Sequence, residues 1–168
     1  PRTEAWGNVF LAGTGGAYQV DIAKKRQLVV FLIYGEQGGA SNTTAAANTD
    51  HFLRAARTEI QKYYRSMPVL IAGDLYSIPA KLPNMQLLTQ KAGWLDIGAH
   101  ASWYGTTPDH DGTRLAPGSH GRTRRDYILA NPQARPYITG FHIQHHDTGL
   151  DTHSILQLKI TPHRAQTA

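Results

Sequence analysis

The chain has 168 residues, a formal net charge of +5 and no cysteine. That length fits one domain, and the absence of cysteine excludes disulfides and thiolate-bound zinc. It is compatible with a reducing compartment, so we prefer an intracellular location to secretion without fixing the compartment. The longest apolar run, residues 28–34, is far shorter than the roughly 20 residues of a membrane span. The positive charge suits nucleic acid, but many soluble proteins are mildly basic.

The first elements read as β-structure. Residues 8–12 and 17–22 are short β-prone runs on either side of Gly13-Thr14-Gly15-Gly16, which predicts a hairpin. A phosphate-binding loop is the weaker interpretation, because no Gly-Lys-Ser/Thr follows the glycines. Residues 28–34 are continuously apolar and predict a strand that is buried on both faces.

A basic amphipathic helix follows a polar loop at residues 35–47. Asn48 or Thr49 is the predicted N-cap. Its apolar positions recur at helical spacing: Phe52, Leu53, Ala56, Ile60 and Tyr63 or Tyr64. Pro68 ends the helix, and residues 69–72 form a second buried strand. Strand, helix and strand together predict one β–α–β unit.

The second half of the chain alternates short elements with a long polar segment. Asn84 is the predicted cap of a short helix at 85–92, which Gly93 ends. Residues 101–125 are too long and polar for a simple connection, and a functional loop and a disordered insertion both fit them. Three further strands are predicted, at residues 126–130, 138–145 and 154–160.

Polar side chains stand at the ends of three of these buried strands. Asp74 follows the strand at 69–72, Asp126 begins the next strand, and His153 precedes the last one. Strand ends in α/β sheets are where sites assemble, because the core fixes their position. Each residue also has an ordinary structural interpretation, such as a hydrogen-bonded Asp or a salt bridge. Asp126 could alternatively orient a histidine by accepting its ring N–H.

In order, these segments resemble the later motifs of the endonuclease/exonuclease/phosphatase family, which read Gly-Asp-x-Asn, Arg-x-Asp-Tyr-Ile/Val and Ser-Asp-His. The matching segments here are Gly73-Asp74-Leu75-Tyr76, Arg124-Arg125-Asp126-Tyr127-Ile128 and Asp151-Thr152-His153. The family includes abasic-site endonucleases, DNase I-like enzymes, inositol-phosphate phosphatases and retroelement endonucleases.

The resemblance implies an α/β (α+β) fold of DNase I-like type, a four-layer, two-sheet β-sandwich flanked by helices. It implies that residues 1–168 form a single, partial domain that lacks the amino-terminal strands. The chain begins with Pro1, which also favours a processed or truncated chain.

The resemblance also implies roles for three residues. His153 would lie against the scissile phosphate and be oriented by Asp126. Asp74 would position or activate the attacking water or contact the metal site. The family's cofactor is Mg²⁺, which offsets the charge that develops in phosphodiester cleavage.

Three departures from the family pattern bear on activity. Tyr76 stands where the motif has Asn, and Thr152 stands where it has the metal-binding Asp. Asp151 is one position away, and neighbouring side chains on a strand point to opposite faces. None of the chain's glutamates, which are Glu4, Glu36 and Glu59, follows a suitable first strand. We therefore expect an impaired site that binds no metal in this chain.

Three further segments contain residues that could form sites. His120, Arg122, Arg124 and Arg125 lead into the strand of Asp126, and a grip on a nucleic-acid backbone and a solvated basic loop fit them equally. Asp109-His110-Asp111 and His145-His146-Asp147 contain metal-ligand residue types, but adjacent ligands match structural zinc spacing poorly. We interpret these two histidine-containing segments as solvated loops.

The sequence thus favours a degenerate relative of retroelement endonucleases. It would act as a structural or interaction subunit of a larger assembly, with a protein partner that covers its incomplete sheet. The alternative is an active Mg²⁺-dependent phosphodiesterase whose missing amino-terminal part completes the site.

Overall fold

The structure, a computed structural model, describes residues 1–105, 114–115, 122–145 and 153–162, with the main chain alone at 114–115 and 122–123. The α-helices are α1 (Glu4–Leu11), α2 (Thr43–Tyr63) and α3 (Pro83–Gln86). The strands are β1 (Gly15–Ala23), β2 (Arg26–Ile33), β3 (Val69–Asp74), β4 (Leu95–Asp96), β5 (Arg114–Leu115), β6 (Arg122–Thr123), β7 (Asp126–Ala130), β8 (Ile138–Gln144) and β9 (Ile155–Ile160).

Shorter helical turns complete the described elements. A π-helical turn, Leu87–Lys91, continues α3 directly. Three 3₁₀ turns lie at Pro79–Lys81, Gly98–Tyr104 and Arg135–Tyr137. None of the helices in the described part of the chain has the length and apolar character needed to cross a membrane.

A five-stranded mixed sheet forms the centre, in the order β1-β2-β3-β7-β4. Strands β2 and β3 are parallel and joined by α2, which confirms the predicted β–α–β unit. The other pairings in this sheet are antiparallel. In the β3–β7 ladder Asp74 lies directly opposite Asp126, so both residues stand at one end of the sheet.

One face of the central sheet packs against α1 and α2. Alternate residues of β2 and β3, among them Val29, Phe31 and Ile71, are buried there with Leu53 of α2. The Trp6 ring of α1 lies 4.9 Å from the ring of Phe31. Period-two alternation on the strands and helical spacing on α2 thus produce one shared core.

The other face of the central sheet packs against a two-stranded antiparallel sheet, β8–β9. Leu70 and Ile128 of the central sheet share a buried cluster with Phe141 and Ile143 of β8, and Leu156 of β9 packs against it. The described part of the chain therefore has helices on one side of a mixed sheet and a small second sheet on the other. This confirms the mixed α/β class and the packing of two sheets.

The amino-terminal hairpin prediction was wrong in its first half. Residues 8–12, predicted as a strand, lie mostly in α1, which Thr3 caps by accepting a hydrogen bond from the Trp6 amide at 3.3 Å. The buried carboxylate of Glu59 accepts the amides of Arg2 and Thr3, each at 2.7 Å. This anchor is 56 residues or more away in sequence, so no local pattern announces it. The hairpin that does form is β1–β2.

Two predicted helix caps were also wrong. Helix α2 begins at Thr43, and its cap is Asn42, whose Oδ1 accepts the amides of Thr44 and Ala45. Asn48 and Thr49 lie inside the helix, where Thr49 Oγ1 accepts the amide of Glu36 at 2.8 Å. Residues 42–49 contain several polar side chains that can cap a helix, and the sequence alone does not distinguish among them.

Asn84 likewise does not cap α3. It lies in the first turn, where Asp50 of α2 accepts its main-chain amide and its side-chain amide, each at 2.7 Å. The cap is therefore supplied across the interface by another helix. Gly93, with φ at 73°, does end the helical segment as predicted.

Candidate active site

Gly73 sets the geometry of the site because β3 passes very close to β2 at this point. Its φ is 147°, and a Cβ here would lie 1.9 Å from the carbonyl oxygen of Ile33. Only glycine fits such a conformation and approach. The next residue, Asp74, continues the contact by accepting the amide of Gly35 with its carbonyl oxygen at 2.7 Å. The glycine of the Gly-Asp motif therefore holds the two strand ends together and places Asp74 at the sheet end.

The two aspartates point to the same side of the central sheet. Directly opposed residues of an antiparallel pair share a face, and Asp74 and Asp126 are such a pair. Their face is that of Leu70 and Ile128, which lie at even spacing from them and contact the β8–β9 sheet. The carboxylates therefore point towards the second sheet, beyond the edge of its apolar cluster.

His153 comes from the second sheet, just before β9, and reaches both carboxylates. Its Nδ1 lies 3.1 Å from Oδ2 of Asp126, and its Nε2 lies 3.6 Å from Oδ2 of Asp74. The His153 side chain is 24% exposed, that of Asp126 19% and that of Asp74 9%. The structure thus brings together the three residues that the sequence selected, in a partly buried group that solvent still reaches.

This arrangement distinguishes the two nitrogens of the His153 imidazole. When Asp126 accepts a hydrogen from Nδ1, the neutral ring keeps its lone pair on Nε2, which faces Asp74. Nε2 can therefore accept a proton, or donate one after protonation, at a point where Asp74 also presents an oxygen.

The same three residues form a possible metal-binding group. One ligand atom from each lies within 4.8 Å of the others. Two carboxylates and one imidazole suit Mn²⁺ or Zn²⁺, whereas Mg²⁺ prefers oxygen ligands alone. The donor set therefore fits a divalent cation, and fits Mn²⁺ better than the Mg²⁺ that the family resemblance implies. The expectation that this chain binds no metal stays a prediction.

Tyr76 occupies the place of the motif's Asn and is held in an unusual conformation. Its φ is 48°, and its amide donates to Oδ1 of Asp74 at 3.0 Å. Its hydroxyl lies 2.8 Å from that of Tyr34, with the two rings edge to face at 5.4 Å. Burial, the hydrogen bond with Tyr34 and the charge of Asp74 raise the pKa of Tyr76 to about 12. A phenol that resists ionisation therefore stands beside Asp74.

The two described arginines of the predicted nucleic-acid surface make contacts within the protein. Both terminal nitrogens of Arg124 bind the carboxylate of Asp96, and its guanidinium lies 4.5 Å from the ring centre of Tyr127. Arg125 donates to the carbonyl oxygen of Tyr76 at 2.9 Å. Arg124 thus contacts β4, and Arg125 contacts the loop after β3. Neither contact tests whether these arginines bind nucleic acid, so that role stays a prediction.

Several predicted residues lie outside the part of the chain that the structure describes. They are His120, Thr152, the side chain of Arg122, and residues 109–111 and 146–147. His145, beside that last segment, is described: its Nδ1 lies 2.7 Å from Oγ of Ser154. It takes part in the junction between β8 and β9 and is not among the residues that approach Asp74.

Sequence reasoning missed Tyr34 and the structural role of Tyr127. Tyr34 follows the end of β2, which runs parallel to β3, so its position next to Asp74 could have been anticipated. Tyr127 belongs to the Arg-x-Asp-Tyr motif, and its hydroxyl donates to the carbonyl oxygen of Ser77 at 3.0 Å. That bond spans 50 residues and carries no local signal.

Solved structures with the same fold include an exonuclease and an AP endonuclease, although similarity in sequence is low. The catalytic domain of Xenopus laevis APE2 matches with a TM-score of 0.62 and 18% identity, over 91% of this chain and 57% of its own. The 3'-5' exonuclease NExo from Neisseria meningitidis gives 0.60 and 12%, over 80% and 61%. An AP endonuclease from Archaeoglobus fulgidus gives 0.57 and 12%, over 79% and 62%.

These matches show the DNase I-like fold that the sequence resemblance implied. The chain spans about three fifths of the length of these structures. Scans against known protein families and against curated protein sequences find no match.

Proposed function

We propose that this chain is the phosphate-reacting part of a metal-assisted nucleic-acid phosphodiesterase. The observation that carries the proposal is the position of His153 between Asp126 and Asp74. The nucleases of the same fold and the net charge of +5 favour nucleic acid over an inositol phosphate as substrate. A descent from retroelement endonucleases rests on motif order alone and stays a prediction.

In this proposal each residue of the group has one task. Asp126 holds the imidazole of His153 by accepting the Nδ1 hydrogen, so that protonated Nε2 donates to a non-bridging phosphate oxygen. Asp74, whose Oδ1 is held by the Tyr76 amide, accepts a proton from the attacking water with Oδ2. The water oxygen bonds to phosphorus as the bond to the leaving strand oxygen breaks, and that oxygen takes a proton from solvent. The low exposure of Asp74 limits competing hydration and strengthens both interactions.

A divalent cation held by Asp74 would offset the negative charge that develops on the phosphate, while Asp126 and His153 keep the roles just described and do not bind it. Further carboxylate and amide ligands for the cation would have to come from outside this chain. The finer fold expectation, four layers with additional strands in the second sheet, belongs to the same proposal. The chain alone should therefore act slowly.

A nicking assay tests the proposal. Supercoiled plasmid is incubated with the chain in Mn²⁺ or Mg²⁺, with His153→Ala as the test variant. We expect nicking in Mn²⁺ and a loss of about 100-fold or more in His153→Ala, the usual magnitude for an acid–base group. His142→Ala, an exposed histidine of β8, is the matched control and should leave the rate unchanged. Equal rates for the native chain and His153→Ala would contradict the proposal.

The second candidate function is a non-catalytic subunit of a larger assembly, which an exposed apolar sheet face favours. Tyr18, Val20 and Leu32 are exposed and lie on the face of the central sheet that β8–β9 covers elsewhere. Among the described strands, β1 pairs only with β2, so its other edge can accept a strand. We propose an extended segment of another protein as the occupant, since edge and apolar face adjoin.

Light scattering and dye binding test this candidate. The native chain should bind a hydrophobic dye and self-associate as concentration rises, because the face lacks its cover. Val20→Lys should reduce both effects, whereas Gln157→Lys, on the exposed side of β9, should reduce neither. A monomer that binds no dye would exclude this function. Mn²⁺-dependent nicking that requires His153 would favour the first one.

A further inference from the structure

A cavity lies at the opposite end of the central sheet from Asp74. Its volume is about 420 Å³, and α2, the π-helical turn after α3 and the loop after β7 form its walls. Strand β3 runs from Val69, near this cavity, to Asp74. At about 3.3 Å per residue the two ends are roughly 17 Å apart. The cavity is therefore separate from the group around His153.

The wall of this cavity carries three cations and no carboxylate. Arg57, Arg65 and Lys91 line it, and no Asp or Glu does. Among the described residues, none of the three cations forms an ion pair within 4.0 Å. What sets the cavity apart is that three positive charges line one concave surface without an acidic residue among the described lining residues.

Arg57 gives the second observation. Its Nε is buried and lacks a hydrogen-bond partner within the described part of the chain. A buried N–H of a charged group that lacks an acceptor is costly, so an oxygen from outside the chain is the expected partner. The guanidinium presents its donors as a planar fork, which matches the geometry of phosphate oxygens.

The remainder of the cavity is apolar. Ile60, Leu87, Leu88 and Ala92 line it, and Leu87 is exposed at its rim. Asn131 also lines the cavity, but its side chain is occupied: Oδ1 accepts from Val69 and Ala134, and Nδ2 donates to Met67. A ligand would thus meet both positive charge and hydrocarbon in the wall of the cavity.

We propose that this cavity binds an organic phosphate of mononucleotide size. The phosphate lies against Arg57, Arg65 and Lys91, and the apolar body packs on Leu87 and its neighbours. Three cations favour a phosphate dianion over a single carboxylate. A volume of about 420 Å³ lies in the range of small-molecule sites, which bury most of a ligand of that size.

Calorimetric titration of the full chain tests this site with adenosine monophosphate, adenosine and inorganic phosphate as probes. We expect a single site for adenosine monophosphate and weaker binding of both fragments, because each lacks half of the contacts. Arg57→Met keeps much of the apolar stem and should weaken binding at least tenfold. Arg54→Met is the matched control, an exposed arginine one turn earlier on α2 that does not line the cavity.

A second variant protects the test against loss of folding in Arg57→Met. Lys91 is exposed, so Lys91→Glu should fold normally and weaken binding by a comparable factor. His153→Ala should bind the nucleotide as the native chain does, which separates this site from the proposed phosphodiesterase. The proposal fails if adenosine monophosphate does not bind at millimolar concentration. It also fails if Arg54→Met loses as much affinity as Arg57→Met and Lys91→Glu.

A free mononucleotide and the phosphorylated end of a strand present the same chemistry. A tetranucleotide with a 5'-phosphate, compared with the same strand without it, distinguishes the two sources. Tighter binding of the phosphorylated strand than of adenosine monophosphate would assign the site to strand ends. Equal or weaker binding would assign it to the free nucleotide.

Discussion

The two ends of the central sheet are built in opposite ways. At the Asp74 end, segments distant in sequence meet: the end of β3, the start of β7 and the residue before β9. At the Arg57 end, one helix and the short segment after α3 supply most of the wall. The first end contains carboxylates around a histidine, and the second contains three cations for which the described residues supply no ion pair. The geometry of the Asp74 group therefore depends on how strands distant in sequence pack together. The geometry of the Arg57 cavity depends mainly on the spacing of side chains along one helix and one short segment.

Gly73→Ala should have the largest effect, because it separates the strand ends on which the first site depends. The added Cβ would lie 1.9 Å from the Ile33 carbonyl at a φ of 147°, so we expect a loss of about 4 kcal/mol or outright unfolding. Gly38→Ala is the control: φ is 87° and the space around it is open, so about 1 kcal/mol should be lost. Urea denaturation measures both. Similar losses would show that the close contact is unimportant.

Asp126→Asn should reduce the proposed nicking rate by about 100-fold with little change in stability. The amide can donate to Nδ1 and so favours the wrong tautomer of His153, while its size is unchanged. A pH profile of the rate, compared between the native chain and Asp126→Asn, separates this role from a structural one, because only a change in acid–base catalysis alters the shape of the profile. A variant that keeps the native rate and pH profile would remove Asp126 from the mechanism.

Asn131→Ala should do the reverse at the other end and cost about 2 kcal/mol of stability without changing the nicking rate. Its buried side chain makes three hydrogen bonds, and removing it leaves the buried amide of Val69 without this acceptor. Thermal unfolding and the nicking assay together measure the outcome. A rate that falls in parallel with stability would show that the two ends are coupled.

Tyr76→Phe should have the smallest effect: loss of the hydrogen bond with Tyr34 costs about 1 kcal/mol at any pH, and the pH-dependent part is confined to high pH. The folded-state pKa of Tyr76 is about 12, above the ordinary 10, so the folded chain binds this proton more tightly than the unfolded chain. The stability that this difference contributes is fully present below pH 10 and is lost as pH rises through 12. Phe cannot ionise, so the variant should lose less stability than the native chain between pH 10 and 12. Denaturation curves at several pH values compare the two.

Much of the fold could be predicted from the sequence because its signals are local and repeated. The apolar runs at β2 and β3 and the helical spacing of α2 predicted the β–α–β unit. Strands β7, β8 and β9 also fall where alternation placed them, within one residue. Helix starts were predicted poorly: α1 depends on the remote Glu59, and α3 on Asp50 of another helix.

The candidate site divides in the same way. By itself the sequence determined which residues stand at strand ends, and so selected Asp74, Asp126 and His153. Only the tertiary structure decided that they meet, because their distances depend on the β3–β7 register and on the packing of the second sheet. It also decided that Arg57 lines a cavity together with Arg65 and Lys91. Hydrogen bonds and burial between distant segments leave no periodic trace in a sequence, whereas core-facing side chains do.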